Sequence, residues 1–518
     1  MQEPCYTCRR RRIRCDQSQS PCAKCTASGL ECSVSRPLRW VNGVAMRGKM
    51  RGTSFETPSD DSTQPVGAQQ DSGWPKDSPR ALIQSAPIPV GQVDTHNVLM
   101  CRPRSVPSAL GDFAASNLDT ASRYYLDYYN DRICKLFIVY DSEKNPFRTL
   151  ISLALLDQTL LNSILALAAR HRVNKDRSFY DLILTPSSEG TTAHYDALRF
   201  KYQAIQGISH ALNDATMCQK NTTVASTFLL VFLDLLESGS DRWNFHLEGA
   251  KRLIETSQSS ESWNGFQNNP GQSIQELRTF LTSQIYSIET LGGTLVRPKL
   301  LSQFGLLYED PQTRETVEQS VLGCPEYLLD AIRYLTVQRD AMTASESNDE
   351  TTAQYSIENT KGVIHFIHQF DCSVWATSLP HVDPTSVRDV GSLCILARTY
   401  QLAALIYGQR VLGALTNEFI QLENMAQQLL EVVDKLKDDK ALYKCILWPI
   451  FIACMECREQ EQRGFHMSYL ERFWADTSCV NVINAAKIVE GYWQQNNDPT
   501  LSQWIFNIGH LGQDWLLI

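Results

Sequence analysis

From about residue 116 to the end of the chain, apolar residues recur at helical spacing. Tyr124, Tyr125, Tyr128, Tyr129, Ile133, Leu136 and Phe137 follow an i, i+3, i+4 pattern, as do Leu229, Phe232, Leu233 and Leu236, and later Leu402, Leu405 and Ile406. The alternation expected of half-buried strands is scarce. Breaks are expected at Pro186-Ser187-Ser188-Glu189-Gly190, Ser238-Gly239-Ser240, Asn268-Asn269-Pro270-Gly271 and residues 345–352, where turn-forming residues cluster. Roughly 400 residues are many for one core, which predicts a large all-α domain over 116–518 able to split into two lobes. The most apolar run, 393–407, is interrupted by Arg398 and falls short of the ~18 residues that suggest a transmembrane helix, so no membrane span is expected.

Ahead of residue 116 the helical pattern vanishes. Residues 52–115 hold eight of the 21 prolines (Pro58, Pro65, Pro75, Pro79, Pro87, Pro89, Pro103 and Pro107) among Ser, Thr, Gln and Asp. This composition predicts a disordered linker with no core of its own. It contains no heptad run, which leaves the helical domain as the candidate element for a homodimer, with a monomer as the alternative. Residues 36–51 are basic, with Trp40 inserted, and suit phosphate contacts or an import signal. Residues 36–115 are therefore expected to be a basic tail and flexible tether.

Charge divides the chain unevenly. The first 51 residues carry eleven Lys/Arg against Glu3, Asp16 and Glu31, a net +8, whereas the whole chain is −9 and the remainder is −17. A basic head on an acidic body suits a polyanion-binding tip whose body stays off the polymer.

The head also concentrates the cysteines. Six of sixteen, Cys5, Cys8, Cys15, Cys22, Cys25 and Cys32, follow C-x2-C-x6-C-x6-C-x2-C-x6-C, with Arg9-Arg10-Arg11-Arg12-Ile13-Arg14 between the second and third. Thiolates suit zinc, which prefers four ligands in a tetrahedron. Six ligands complete two tetrahedra only by sharing two sulfurs, so the pattern asks for two Zn2+ ions. A disulfide knot is the first alternative, but no apolar signal segment precedes the motif and the arginines would lack an anionic partner. One four-cysteine site with two spare thiols is the second. A segment below ~40 residues has too little core to fold alone, so the metal is expected to hold this module together.

At these residues the chain resembles the fungal zinc binuclear-cluster transcription factors, over roughly the first 35 positions. The likeness includes the basic run, Asp16 after the third cysteine, Pro21 in the loop, and Thr26-Ala27-Ser28-Gly29-Leu30-Glu31 before the last cysteine. Two departures stand out: Pro21 directly precedes Cys22, and the reading positions, often lysine in relatives, are Arg11 and Arg12. The resemblance implies that Cys5 and Cys22 bridge the two zincs and that the target is double-stranded DNA with a CGG-type triplet. A short helix starting near Arg9 is expected to present Arg11 and Arg12 to guanine O6 and N7 in the major groove. Arg9, Arg10, Arg14 and Lys24 are expected on phosphates, where they set register without reading sequence.

Three strings in the helical part resemble the regulatory domain of the same factors, in the branch with the second type of fungal-specific transcription factor domain. They are Ile164-Leu165-Ala166-Leu167-Ala168-Ala169-Arg170-His171, Arg242-Trp243-Asn244-Phe245-His246-Leu247-Glu248-Gly249-Ala250 and Leu447-Trp448-Pro449-Ile450-Phe451-Ile452-Ala453. The expected function is thus nuclear, sequence-specific regulation of RNA polymerase II transcription, with the transcription machinery as a partner. Relatives of this branch serve secondary metabolism, nitrogen or amino-acid catabolism, and drug tolerance. The alternatives are a scaffold that binds nucleic acid without reading sequence and an enzyme with an appended zinc module.

Nothing in the sequence favours the enzyme. There is no G-x-S-x-G, H-E-x-x-H or dinucleotide G-x-G-x-x-G. Cys454 and Cys457 form a C-x2-C without a second ligand pair and are expected to be buried free thiols. His171 and His246 lack Asp or Cys partners nearby in sequence and read as packing or capping residues. Trp243 and Phe245 are expected to anchor a loop to the core. The closing Trp515-Leu516-Leu517-Ile518, beside Asp514, is either a small activation motif or part of a packed terminal helix.

Overall fold

The computed structural model describes residues 5, 7–8, 11, 13–16, 22–28 and 32 of the head. From 118 to 518 it describes all but 185–191, 241, 264–271, 297–316, 318–319, 345–349, 380–388, 458, 496–503 and 507–513. The tether, two of the four expected breaks (186–190 and 268–271) and most of the third (345–352) lie outside the described residues. The remaining one, Ser238-Gly239-Ser240, is a turn in which Gly239 takes φ +64°, a region that costs a side chain but not glycine. Among the described residues of the head, helix α1 is Ala23–Ala27.

The body opens with α2, Thr120–Tyr128, which continues through a π turn, Tyr129–Ile133, into Cys134–Leu136. The π turn follows from spacing. Tyr125, Tyr129, Ile133 and Phe137 are all buried and recur every four residues, whereas an α-helix turns every 3.6. Without the wider turn they would drift off one face. Tyr124 lies outside that row and is exposed. Asp119 caps α2 by accepting the Ser122 N–H at 2.6 Å.

The helices used below are α3 (Gln158–Lys175), α4 (Thr192–Leu212), α5 (Asn221–Glu237), α6 (Trp243–Trp263), α7 (Gln272–Gly293), α8 (Glu326–Ala344), α9 (Glu350–Gln369), α10 (Val390–Thr416), α11 (Leu447–Met455), α12 (Gln460–Thr477) and α13 (Asn481–Gln495). Among the described residues the only β pairing is the single bridge between Ser240 and Trp515. Asp157 caps α3 through the Thr159 and Leu160 N–H groups and accepts the Thr222 hydroxyl at 2.6 Å, which locks the starts of α3 and α5 together. Both helices pack side by side, and α4 lies along α3 so closely that a Cβ on Gly207 would meet Thr159 Oγ1 at 2.3 Å.

Three helices are apolar nearly all round and are therefore surrounded. Every residue of α5 from 223 to 236 is buried, as are all nine of α11 and most of α10. Val390–Thr416 has the length and hydropathy to span a bilayer, but 67% of its apolar window is buried among other helices, among them α8, α9 and α11. The three strings singled out in the sequence fall on α3, α6 and α11, so core packing accounts for most of their apolar positions. One continuous hydrophobic cluster runs from Tyr125 to Ile518, and residues 105–518 form one unit rather than two lobes.

Trp448 on α11 sits at the centre of this core. It stacks on Tyr400 at 6.4 Å, meets Tyr407 edge-on at 6.3 Å and donates from its indole N–H to Thr294 Oγ1 at 2.8 Å. Two buried guanidinium groups have partners that offset the cost of burial. The Arg410 guanidinium grips both oxygens of Glu456, whose Oε1 also accepts the Trp504 indole N–H at 2.8 Å. Arg339 donates to the carbonyls of Gly293 and Thr294, which closes the C-terminal end of α7.

Two expectations need correcting. Trp243 is buried, but Phe245 is 64% exposed. Both lie on α6, and two residues of helix rotate the side chain by about 200°, to the opposite face. Residues 515–518 form neither an exposed motif nor a terminal helix: Leu516, Leu517 and Ile518 are buried. The segment runs extended against the 238–240 turn, with Leu516 N–H on the Gly239 carbonyl at 2.9 Å. Asp514 accepts from both Trp243 and Asn244, and Asn481 donates to the Ile518 carbonyl at 3.0 Å.

Candidate metal centre and nucleic-acid interface

Each C-x2-C turn in the head is built alike. Cys8 sits in a helical turn with Thr7, and its backbone N–H reaches back to Cys5 Sγ at 3.4 Å. Cys22 lies just ahead of α1 in an extended conformation, and the Cys25 N–H turns back to the Cys22 carbonyl at 3.0 Å. The helical turn therefore already includes Thr7 and Cys8, ahead of Arg9. A helix as short as α1 has few internal bonds, and side chains add to them: Asp16 Oδ2, from outside the helix, accepts the Ala23 N–H at 3.0 Å, while Thr26 Oγ1 within it donates to the Cys22 carbonyl at 3.2 Å. The clamp by Asp16 couples the two halves of the module. Its sequence signal was the acid directly after the third cysteine, read as pattern and not as a cap.

The sulfurs converge. Cys5, Cys8, Cys22 and Cys25 are buried, and Cys15 and Cys32 are half-buried beside them. Two sets of four have all their Sγ atoms within 4.8 Å of one another: Cys5, Cys8, Cys15, Cys22, and Cys5, Cys22, Cys25, Cys32. The sets share two members, Cys5 and Cys22. A tetrahedral zinc site with Zn–S bonds of about 2.3 Å has sulfur–sulfur edges of about 3.8 Å. Cys5 to Cys22 is 3.8 Å, Cys8 to Cys22 is 3.6 Å, and Cys5 to Cys25 is 3.7 Å. Cys8 and Cys25, one from each set, approach to 3.9 Å, so the two sets interpenetrate. The donor set fits two zinc ions that share a pair of sulfurs.

Electrostatics point the same way. The backbone N–H donated by Cys8 holds the Cys5 thiol below its ordinary range, and that of Cys25 does the same for Cys22. Burial instead pushes Cys8 up and Cys25 up to about 12. Crowded buried thiols of this kind ionise only beside a cation, which zinc supplies. Cys454 and Cys457 form no such group. Cys454 is fully enclosed, and burial raises both thiols, Cys457 to about 11.

Around the sulfurs the described basic side chains, Arg11, Arg14 and Lys24, are exposed. The Arg11 N–H donates to the Thr7 carbonyl at 3.2 Å, and the Ile13 N–H reaches the Cys8 carbonyl, five residues back, at 3.2 Å. These two bonds close the helical turn, and Arg14 lies beyond it. Arg9, Arg10 and Arg12 lie outside the described residues.

The body also holds a buried polar pair that sequence spacing missed. His171 does pack and cap: its Nε2 meets the Thr477 carbonyl at 3.1 Å and its Nδ1 the Tyr128 hydroxyl at 2.8 Å. His246, however, lies 3.5 Å from Asp234, and both are buried. Burial pushes the Asp234 carboxyl up to about 7 and the His246 imidazole down to about 4. The available signal was a single acid inside the apolar run of α5, Leu229-Leu230-Val231-Phe232-Leu233-Asp234-Leu235-Leu236.

A cationic six-cysteine module that binds two zincs, carried on an all-helical body, defines a DNA-binding regulator of transcription. Residues 3–41 match the fungal Zn(2)-Cys(6) binuclear cluster domain, which binds two zinc ions, and residues 124–518 match the fungal specific transcription factor domain. The chain belongs to this family of fungal zinc-cluster transcription factors, and its domains are those of regulators rather than enzymes. It is 23% identical over 540 residues, 91% of this chain and 88% of the relative, to the acriflavine sensitivity control protein acr-2 of Neurospora crassa. The head alone, over 43 residues, is 46% identical to the transcriptional regulatory protein pro1 of the same organism, covering 8% of this chain and 6% of that one. No solved structure matches the chain.

Proposed function

We propose that this chain is a nuclear regulator of RNA polymerase II transcription that reads a CGG-type triplet through its head. The observation that carries the reading is the pair of four-sulfur sets sharing Cys5 and Cys22, with exposed Arg11, Arg14 and Lys24 around them. Cys5 and Cys22, common to both sets, would be shared by two zinc ions, with Cys8 and Cys15 holding one and Cys25 and Cys32 the other, and the metal would supply the cross-link that folds the head. Arg11 and Arg12 donate to guanine edges, while Arg9, Arg10, Arg14 and Lys24 sit on phosphates. The working division is a head over 1–35, a tether over 36–115 and a regulatory body over 116–518. That body sets oligomeric state and partner choice, including contact with the transcription machinery.

A single head makes few base contacts, so useful specificity calls for a second half-site. Among candidate pathways, drug tolerance has the added support of a relative whose name records control of acriflavine sensitivity. Selection of bound sequences from a random DNA pool tests the reading. An enriched CGG-type triplet is the expected result; a pool with no enriched motif would instead establish a scaffold that binds nucleic acid without reading it.

A further inference from the structure

An acid stands among the cations of the head. Arg11, Arg14 and Lys24 are exposed, and so is Asp16. Residues 1–51 hold eleven Lys/Arg and three acids, Glu3, Asp16 and Glu31. By charge alone, a carboxylate two positions from Arg14 repels the phosphates that the basic side chains attract. Geometry gives it a use that offsets this cost. Asp16 Oδ2 accepts the Ala23 N–H at 3.0 Å, at the first position of the helix that carries Lys24.

We propose that Asp16 is a positioning residue for DNA binding, whose clamp on α1 fixes Lys24 relative to Arg14 so that both reach phosphates of one duplex. The inference rests on the proposed reading of DNA and names what aligns the two halves of the reader. Helix α1 has five residues, and Cys22 ahead of it makes no side-chain capping bond. Its own bonds stay local. The Cys25 and Thr26 N–H groups turn back to the Cys22 carbonyl at 3.0 and 3.1 Å, and the Cys22 N–H meets Cys32 Sγ at 3.3 Å. Through its sulfurs α1 is held at two points, Cys22 and Cys25. A rigid turn held at two points still rotates about the line between them, and Lys24, lying between the two, swings with it. The Asp16 bond adds a third point. Because Asp16 follows Arg14 and Cys15 directly, that point lies on the segment that also carries Arg14.

Charge and clamp pull in opposite directions, so DNA affinity of the full chain separates them when read with zinc content and salt dependence. Asp16→Ala should keep two zinc ions per chain and weaken binding to the selected site about tenfold, the worth of one helix cap. It should also flatten the plot of log K against log salt by about one unit, as loss of one phosphate contact does. Lys24→Ala should do the same, and adding Asp16→Ala to it should cost nothing more, because the clamp then has no side chain left to place. Asp16→Asn drops the charge but keeps an acceptor oxygen, and should bind at least as tightly as the wild type. Amide hydrogen exchange over residues 22–28 should quicken in Asp16→Ala and hold steady in Asp16→Asn.

Asp16→Ala that binds as tightly as the wild type, or more tightly, overturns the inference, since charge alone would then describe the residue. Loss of zinc from Asp16→Ala overturns it as well, because Asp16 would then hold the metal centre together and not place Lys24. So does an Asp16→Asn variant as weak as Asp16→Ala, or losses that add in the double variant. A wild-type chain that selects no site would instead overturn the proposed reading of DNA. The same variants then decide the clamp on unselected duplex, because a phosphate contact reads no sequence.

Discussion

The head and the body of this chain are folded by different means. In the head, the buried apolar cluster among the described residues is cysteine alone, Cys5, Cys8, Cys22 and Cys25, with Cys15 and Cys32 against it. The body instead buries a continuous cluster of aliphatic and aromatic side chains from Tyr125 to Ile518. A module whose core is made of ligands has its stability set by the metal, whereas a large apolar core carries its own. The contrast teaches that the two parts should fail independently, under different insults.

Chelation should break the comparison open most widely. Removing zinc should unfold the head and abolish specific DNA binding, while the thermal melt of the body stays where it was. Metal analysis should find two zinc ions per chain. Cys22→Ala should cost more zinc and more DNA affinity than Cys8→Ala, because the shared sulfur serves both ions; one zinc per chain would reject the bridged arrangement.

The converse insult is a hole in the body. Trp448→Ala removes a fully buried ring that touches Tyr400 and Tyr407 and satisfies Thr294, and should cost about 3–5 kcal/mol in denaturant unfolding. Zinc content and the triplet preference of the head should not change. A variant that lost zinc together with body stability would show that the two parts are coupled after all.

Within the head, the division between reading and positioning is worth less. Arg12→Ala should cost about 1–3 kcal/mol on the best site and blur one guanine position. Arg9→Ala should weaken all sequences alike and flatten the salt dependence, as loss of a phosphate contact does. Equal shifts on every sequence from both variants would erase the distinction.

In the native chain the smallest net effect belongs to the buried Asp234–His246 pair, whose two contributions offset each other until one partner is removed. His246, held down to about 4 against an ordinary value of about 6.5, stays neutral while the unfolded chain takes up a proton. Its contribution is therefore lost as pH falls from about 6.5 to 4. Asp234, held up to about 7 against about 3.9, keeps a proton that the unfolded chain releases, so its contribution is lost as pH rises from about 4 to 7. The slopes oppose each other and nearly cancel in the native chain. Denaturation midpoints should fall toward acid in Asp234→Asn and fall toward neutral pH in His246→Gln. A flat profile in both variants would show that neither group is held away from its ordinary value.

The head was more legible in sequence than the body. Ligand chemistry is written in residue type and spacing, and six cysteines leave few arrangements. The helical body was legible as a class because the 3.6-residue period survives without knowledge of neighbours. Its details were not. The π turn at Tyr129–Ile133 needed the recognition that a strict four-residue repeat overruns an α-helix. Phe245 looked like an anchor by its closeness to Trp243, although two steps along a helix reverse the face. The partner of His246 lies across a turn on another helix, where local spacing gives no guide. Residues 514–518 carry an apolar pattern too short to distinguish a helix from an extended segment.

That last segment has a consequence in time. Trp243 donates its indole N–H to the carbonyl of Asp514, 271 positions further along the chain. Synthesis at about 5–20 residues per second puts roughly 15–55 s between the appearance of the two. Through that interval the start of α6 and the end of α7, where the space beside Gly292 is filled by Trp243 and Leu516, lack their cover. The nascent body therefore presents an unfinished apolar seam to chaperones and proteases for tens of seconds.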